Sequence, residues 1–174
     1  TVFTQIAAER LGLAAEDVLI GEADTALVPN SGPTVASRTT MVVGRLIERA
    51  ADDLRHRLGL DDRARGAQVR DAITRWHRQH RGDRLVGEAV YERPPGISWD
   101  EARYQGDAYA AFAWAVYVAE VEVDLRTYAT RVLDFVAVQE VGKVLNETLA
   151  RGQVQGGVVQ GIGWALMEEC RFQD

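Results

Sequence analysis

Two neighbouring runs of β-branched and aromatic residues constrain the fold of this chain most strongly. The first run, AYAAFAWAVYVAEVEVD, begins at Ala108, and the second, YATRVLDFVAVQEVG, begins at Tyr128. Residues of these types favour β-strands, and the stretch between the runs, 125–128, suits a hairpin turn. From Val118 onward, apolar and acidic residues alternate. We therefore expect an antiparallel hairpin with one face in water.

Four further side chains are expected to be at least partly buried. Three of them, Trp114, Tyr117 and Phe135, lie on the predicted hairpin. We interpret these aromatic residues as part of the core and not as the lining of a substrate pocket. The single cysteine, Cys170, is expected as a partly buried thiol at a helix end. One cysteine excludes an internal disulfide and a Cys-based zinc or iron–sulfur site formed by this chain alone.

Helical patterns precede the hairpin. Apolar residues spaced by three and four predict three helices, over residues 1–11, 39–58 and 67–80. Two short segments predict further strands, over residues 16–24 and 84–92, and residues 93–107 are predicted to form a loop. Because helices and strands are segregated along the chain, we predict an α+β fold with helices packed on a mainly antiparallel sheet.

The net charge of −6 and the isoelectric point near 5.1 exclude a bulk attraction to nucleic acid or to an anionic membrane. No run approaches the ~18 consecutive apolar residues that span a membrane, and the first residues lack the pattern of a secretion signal. We therefore expect a cytoplasmic protein with no nucleic-acid partner and no membrane partner. Because the chain begins without Met and inside an amphipathic pattern, we expect an excerpt of a longer protein.

The segment PNSGPTVASRTT, residues 29–40, combines small hydroxyl residues with glycine and proline directly before a predicted helix. Unpaired N–H groups, short hydroxyls and the positive end of a helix dipole together suit an anion. Arg38 adds a fixed charge with five donors, which suits a phosphate. The same residue types also cap ordinary helices, so the pattern alone leaves both interpretations open. The segment matches neither a P-loop nor the glycine fingerprint of dinucleotide-binding folds.

The last predicted helix, with Asn146 as its candidate N-cap, is unusually rich in glycine. Its glycines are Gly152, Gly156, Gly157, Gly161 and Gly163. Each costs roughly 1 kcal/mol of helix propensity against alanine. Helical spacing puts three of them on one face, where another backbone or a flat ligand could approach closely. Gln160 lies in this nearly apolar helix, and a buried amide there would need several hydrogen-bond partners. Helix packing through small residues and ligand binding both remain open.

The segment RWHRQHRGDR, residues 75–84, clusters four arginines with His77 and His80. Two interpretations are a basic patch and, through the two histidines, part of a metal site. No further Cys or His follows nearby, so we assign no metal ligand in this chain. We interpret the segment as a solvated helix face.

Three segments, in this order, resemble the molybdenum-cofactor-binding large subunit of the xanthine dehydrogenase, or molybdenum hydroxylase, family. They are DTALVPNSGPTVASRTTMVVG, GDAYAAFAWAVYVAEVEVDLRTYATRVLDFVAVQEVGKVLN and RGQVQGGVVQGIGWALMEE. The resemblance covers nearly all of the chain except residues 60–99. It implies that residues 1–174 form part of a molybdopterin-binding domain. A mostly helical half, 1–82, would carry a cofactor loop, and the other half, 83–174, would carry the hairpin and the glycine-rich helix.

The resemblance also implies which residues bind the cofactor. In the family, the stretch that matches the loop wraps the cofactor and its phosphates, and the glutamine that matches Gln160 donates to the pterin or dithiolene region. The implied cofactor-binding residues are Thr34, Val35, Ala36, Ser37, Arg38, Thr39, Thr40, Gln160 and Gly161. The implied cofactor is molybdopterin with molybdenum, in the cytosine dinucleotide form usual in bacterial members.

Members of this family hydroxylate a carbon of an N-heterocycle or an aldehyde, with water as the oxygen source. Electrons leave through iron–sulfur clusters and FAD on other domains or subunits. The resemblance implies this oxidoreductase activity for the full-length protein, which is expected to form an oligomer. Its expected partners are the rest of the large subunit, the iron–sulfur and flavin subunits or domains, and a small-molecule substrate. The family's catalytic glutamate lies beyond the matching helix, so we assign no catalytic residue here and expect the excerpt to be inactive. We interpret Glu168 and Glu169 as a solvated helix end.

Two alternatives belong to other functional classes. One is a non-catalytic anion-binding or nucleotide-binding module built on the same fold. The other is an assembly module whose glycine-rich helix docks on another protein surface. Molybdenum and released CMP in the full-length protein would distinguish the hydroxylase from both.

Overall fold

The computed structural model describes residues 2–28, 30, 32–35, 38–109 and 111–172. Within these residues it contains four α-helices and two antiparallel two-stranded sheets. The chain divides into two compact units, residues 1–93 and residues 94–174. The helices before the main hairpin lie in the first unit and the strands lie in the second, so the α+β prediction is confirmed.

Three helices build the first unit: α1 at Val2–Leu11, α2 at Gly44–Arg57 and α3 at Ala67–Gln79. The three helices predicted for this part of the chain are therefore confirmed. α1 ends before Gly12, whose φ of 74° is a conformation that glycine adopts without strain. Gly59, with a φ of 64°, follows the end of α2 in the same way.

A small core lies among these helices. Its buried apolar residues are Ile6, Ala8, Ala51, Ala64, Val69 and Ala72. α1 and α2 approach each other closely at Gly44, where an added Cβ would lie 2.9 Å from Cδ1 of Ile6. An ion pair between Arg10 and Asp52 joins the same two helices, with Nη2 of the arginine 2.9 Å from Oδ2 of the aspartate. The short residues of this core allow the close approach.

The two strands predicted in the first unit are wrong. Residues 16–24 contain part of a 3₁₀ turn, Ala15–Asp17, and no strand, and residues 84–92 form no strand either. The second segment runs beside α2 instead. The backbone N–H of Glu88 donates to Oδ2 of Asp53 at 3.1 Å. A side chain of α2 thus takes a backbone donor that a neighbouring strand would otherwise satisfy.

The second unit begins with a small hairpin in the segment that we predicted to be a loop. β1, Ser98–Asp100, pairs antiparallel with β2, Gln105–Asp107. The loop prediction is therefore wrong for these residues. Oδ1 of Asp100 accepts hydrogen bonds from the N–H groups of Ala102 and Arg103, at 2.9 and 3.1 Å. This aspartate-capped turn allows two three-residue strands to pair.

The main hairpin is confirmed. β3, Ala115–Val123, pairs antiparallel with β4, Thr130–Gln139, and the register shifts at a β-bulge between Glu120 and Val121. Asp124 closes the turn, because its N–H donates to the carbonyl of Ala129 at 3.0 Å. Every residue of β3 is exposed, so both faces of this strand contact water, whereas one dry face was expected.

α4, Glu147–Leu166, closes the second unit. None of its residues is buried, and no described residue of this unit is buried. Trp114 is 75% exposed, Tyr117 is 50% exposed and Cys170 is exposed, so the predicted burial of these three is wrong. Phe135 is partly buried. The described residues of this unit do not enclose these side chains, and the cleft between α4 and the hairpin, which includes Tyr117, is open.

Candidate functional site

The first candidate region is the loop before α2. Oδ1 of Asn30 accepts a hydrogen bond from the N–H of Gly32 at 2.9 Å, and the N–H of Arg38 donates to the carbonyl of Val35 at 3.1 Å. These bonds join loop residues that lie two and three positions apart in the sequence. Thr34 and Val35 are exposed. Two predicted cofactor residues, Ala36 and Ser37, lie outside the described residues.

Arg38 lies against the backbone of this loop. Its Nη1 donates to the carbonyl of Pro33 at 3.2 Å, and a Cβ added to Gly32 would lie 3.4 Å from the same nitrogen. The φ of Gly32 is 78°, a value that favours glycine. The arginine was predicted from sequence as a charge for an anion. The structure adds that its guanidinium also holds the loop closed.

A π-helical turn, Thr39–Val43, connects the loop to α2. The N–H of Gly44 donates to the carbonyls of both Thr39 and Thr40, where the π turn passes into the α-helix. The sequence predicted an α-helix that begins at Thr39, whereas the structure has a π-helical turn there and the α-helix begins at Gly44. Thr39 is partly buried and Thr40 is exposed. π-helical turns are rare in proteins, and those that occur often lie at functional sites.

The second candidate region is an open cleft along α4, of about 530 Å³. Its lining residues are Gly157, Gln160, Gly161, Trp164 and Glu168. Gln160 and Gly161 are among the residues predicted from the sequence, whereas the other three were not predicted as members of the same surface. Their spacing of three and four residues could have identified them. Glu168 lies past the helix end and folds back, since its N–H donates to the carbonyl of Gly163 at 3.0 Å.

Four glycines of α4 border open space. A Cβ added at Gly152, Gly156, Gly157 or Gly161 would meet no atom within 4 Å. Packing of described residues therefore does not require glycine at these four positions. The free space lies where a ligand or another backbone would approach the helix.

Gln160 is exposed, so the argument from a buried amide does not apply to it. Its amide forms no hydrogen bond with another described residue. A glutamine amide offers two donors and a carbonyl acceptor. The side chain at the centre of the cleft can therefore both donate to and accept from a polar ligand.

A second cleft, of about 480 Å³, lies between α4 and the main hairpin. It is apolar and includes Tyr117, Phe135 and Ile162, while Gly157 and Gly161 border both clefts. The helix thus separates an apolar surface from one that carries an amide and a carboxylate.

Within the part of the chain that the structure describes, no three His, Cys, Asp or Glu side chains cluster in a way that could hold a metal ion. His77 and His80 are exposed, as a solvated helix face requires. The ring of His80 stacks on Trp76 with 4.4 Å between ring centroids. The groups in the two candidate regions suit an organic or anionic ligand rather than direct coordination of a metal.

None of the helices among the described residues has the length and apolar character needed to cross a membrane.

Comparison with known proteins identifies the class to which these regions belong. The family described as "Molybdopterin cofactor-binding domain" matches residues 1–174. The chain is 30% identical, over 193 residues, to 6-hydroxypseudooxynicotine dehydrogenase complex subunit gamma of Paenarthrobacter nicotinovorans, a match that covers 100% of the chain and 24% of that protein.

Two eukaryotic relatives are similar over the same region. Xanthine dehydrogenase 2 of Arabidopsis thaliana is 26% identical over 186 residues, which cover 100% of this chain and 13% of that protein. Xanthine dehydrogenase/oxidase of Gallus gallus is 28% identical over 173 residues, which cover 99% of this chain and 12% of that protein. The chain thus spans a small part of the relatives that it matches.

The chain belongs to the molybdopterin cofactor-binding domain family of the xanthine dehydrogenase-like molybdenum hydroxylases. The family resemblance drawn from the three sequence segments is confirmed.

Proposed function

We propose that this chain binds the pterin dinucleotide cofactor of a molybdenum hydroxylase, with the residue 34–40 loop and the α4 cleft as its two candidate contact regions. The observation that carries the proposal is the open cleft of α4 in which Gln160 lies beside Gly157 and Gly161. These two glycines border open space, and the neighbouring amide has no partner among the described residues. A flat, polar ring system could lie on such a surface and take the amide hydrogen bonds.

The loop would hold the anionic end of the same cofactor. Thr34 and Thr40 present exposed hydroxyls, and the start of the helical segment adds N–H groups with the positive end of the dipole. Arg38 brings a permanent charge next to them. The full proposed set is Thr34, Val35, Ala36, Ser37, Arg38, Thr39, Thr40, Gln160 and Gly161. Phosphates of a cytosine dinucleotide form are the anions that the loop residues of this set would bind.

When bound, the molybdenum cofactor supplies the oxidation of a substrate carbon, with water as the source of oxygen. We propose that the full-length protein hydroxylates an N-heterocycle or an aldehyde. The residues of this chain would bind and orient the cofactor: Gln160 by hydrogen bonds, the α4 glycines by close contact, and Arg38 by charge. No catalytic role is assigned to any residue of this chain.

Partners of the full-length protein are part of the same proposal. The proposed partners are the rest of the large subunit and iron–sulfur and FAD domains or subunits, in an oligomer in the cytoplasm. The name of one relative describes it as a subunit of a dehydrogenase complex. The exposed apolar side chains of the second unit, such as Trp114 and Val116, also support a covering layer from the rest of the subunit.

Substitution of Gln160 in the full-length protein tests the proposal. We expect Gln160→Ala to lower the content of molybdenum and of acid-released CMP per protein, measured by elemental mass spectrometry and chromatography. Gln155→Ala is the matched control, because Gln155 lies on the same helix but lines a different cleft. Unchanged molybdenum and CMP in the Gln160 variant would contradict the proposal. CMP without molybdenum in the unsubstituted protein would favour a nucleotide-binding module.

A further inference from the structure

One segment of the first unit carries a high net positive charge. Residues 63–84 contain seven arginines and two aspartates, so their formal charge is +5. Since the whole chain carries −6, the remaining residues carry −11. A protein that is acidic overall therefore has one strongly basic stretch, in and around α3.

Most arginines outside this stretch are engaged by other described groups. Arg10 pairs with Asp52, Arg57 with Asp53, and Arg131 with Glu122. Four arginines of the stretch differ from these: Arg75, Arg78, Arg81 and Arg84. They are all exposed, and none forms an ion pair or a hydrogen bond with another described residue. We call these four residues the basic surface.

The backbone beneath the basic surface is well ordered by local contacts. The N–H of His80 donates to the carbonyl of Trp76 at 2.9 Å, and the ring of His80 stacks on the indole. The N–H of Asp83 then donates to the carbonyl of His80 at 3.2 Å, across a turn in which Gly82 has a φ of 91°. These contacts fix the end of α3 and the turn after it. A backbone that is already fixed loses less conformational entropy when a partner binds.

Stabilisation of the helix dipole explains only part of this charge. Cations favour the last turn of a helix, and the effect falls off beyond that turn. Arg78 lies in the last turn of α3, which ends at Gln79. Arg81 and Arg84 lie after the helix end, where the dipole gives them little stabilisation. The helix dipole therefore does not account for the charge at these two positions.

We propose that the basic surface binds an acidic segment of a partner protein. Each guanidinium is a planar fork that can bind a carboxylate through two parallel hydrogen bonds. Aspartate and glutamate side chains on a partner would neutralise these four charges, which are unpaired among the described residues. A long nucleic acid or an anionic membrane is a poorer partner, because the rest of the chain, at −11, would repel an extended anionic surface.

Binding of a fluorescein-labelled peptide of five Asp-Glu repeats to the full-length protein tests the proposal by fluorescence anisotropy. We expect binding that weakens as salt is raised. The double variant R75Q/R78Q should bind the peptide about tenfold more weakly, and R81Q/R84Q, which leaves α3 unchanged, should show a loss of the same order. The matched control is R45Q/R57Q, which removes two charges from arginines paired within α2.

Three outcomes would overturn the proposal. The first is no binding of the acidic peptide to the unsubstituted protein at low salt. The second is an equal loss of binding in the control variant, which would mean that only net charge matters. The third is tighter binding of a ten-nucleotide oligothymidine or of phosphatidylserine vesicles than of the peptide, which would assign the surface to a different class of partner.

Discussion

Nη1 of Arg55 donates a hydrogen bond to the carbonyl of Leu11 at 3.0 Å, although the arginine is only 5% exposed. The same guanidinium also donates to the carbonyl of Ala64 at 3.3 Å and to that of Asp61. No carboxylate pairs with it among the described residues. Carbonyls at the end of α1 and in the loop before α3 therefore solvate this buried cation, because helix ends leave such carbonyls without partners.

Replacement of Arg55 by Met should open the contact between α1 and the loop before α3. The substitution retains apolar volume but leaves several buried carbonyls unpaired, so we expect a loss of about 3 kcal/mol of local stability. Hydrogen exchange of peptides that cover α1 and α3 in the full-length protein measures this loss. Arg45→Met is the control, since its exposed pair with Glu48 should contribute about 0.5 kcal/mol or less. Equal protection in both variants would contradict the role of Arg55.

Alanine at the α4 glycines should separate helix stability from cofactor binding. Both Gly152→Ala and Gly161→Ala add a Cβ into open space, so each should stabilise the helix by up to about 1 kcal/mol. Only Gly161 lines the cleft with Gln160. We expect Gly161→Ala to lower the molybdenum content of the full-length protein and Gly152→Ala to leave it unchanged. A gain in exchange protection without a change in molybdenum at position 161 would mean that the cofactor does not contact this glycine.

The elements that followed from the sequence are those whose signals are local. Glycine after α1 and the N-cap Asn146 of α4 each act through their own backbone neighbours, so the chain order alone identifies them. The strand predicted over 84–92 failed because its outcome depends on Asp53, which is distant in sequence and takes a backbone donor of the segment. The hairpin around Asp100 was missed because its strands are too short to show alternation.

The candidate site was predictable only in part, for the same reason. Gln160 was selected because an amide in an apolar helix is unusual, yet its burial depends on neighbours that pattern analysis cannot supply. Trp164 and Glu168 join it in the cleft through helical spacing and a bend after the helix end. The assignment of the residue 34–40 loop and of Gln160 to cofactor binding rests on the family resemblance and stays a prediction.

Removal of the N-cap of α4 should destabilise its first turn. Oδ1 of Asn146 accepts a hydrogen bond from the N–H of Leu149 at 3.0 Å, which satisfies one of the donors at the helix start. We expect Asn146→Ala to reduce the local stability of this turn by about 1 kcal/mol, and Asn146→Ser to restore most of it. Exchange of the amides of residues 147–151 reports the effect. Equal exchange in the alanine and serine variants would show that the cap does not stabilise the helix.

Asp53 should make the attachment of residues 84–92 to α2 sensitive to acid. The hydrogen bond from the N–H of Glu88 is the main cause that holds the pKa of this carboxyl below its usual 3.8, and Arg57, whose Nε lies 2.9 Å away, lowers it further. A folded-state pKa below the unfolded value means that the stabilisation is complete above the unfolded pKa and is lost as pH falls through the folded one. We expect residues 84–92 to lose exchange protection as pH falls from 6 toward roughly 3, after correction for intrinsic rates.

Asp53→Asn should show weak protection already at pH 6 and little further change, whereas the control Asp71→Asn, at an exposed position of α3, should follow the unsubstituted protein. Parallel pH profiles for the Asp53 variant and the unsubstituted protein would exclude this carboxyl as the source of the effect.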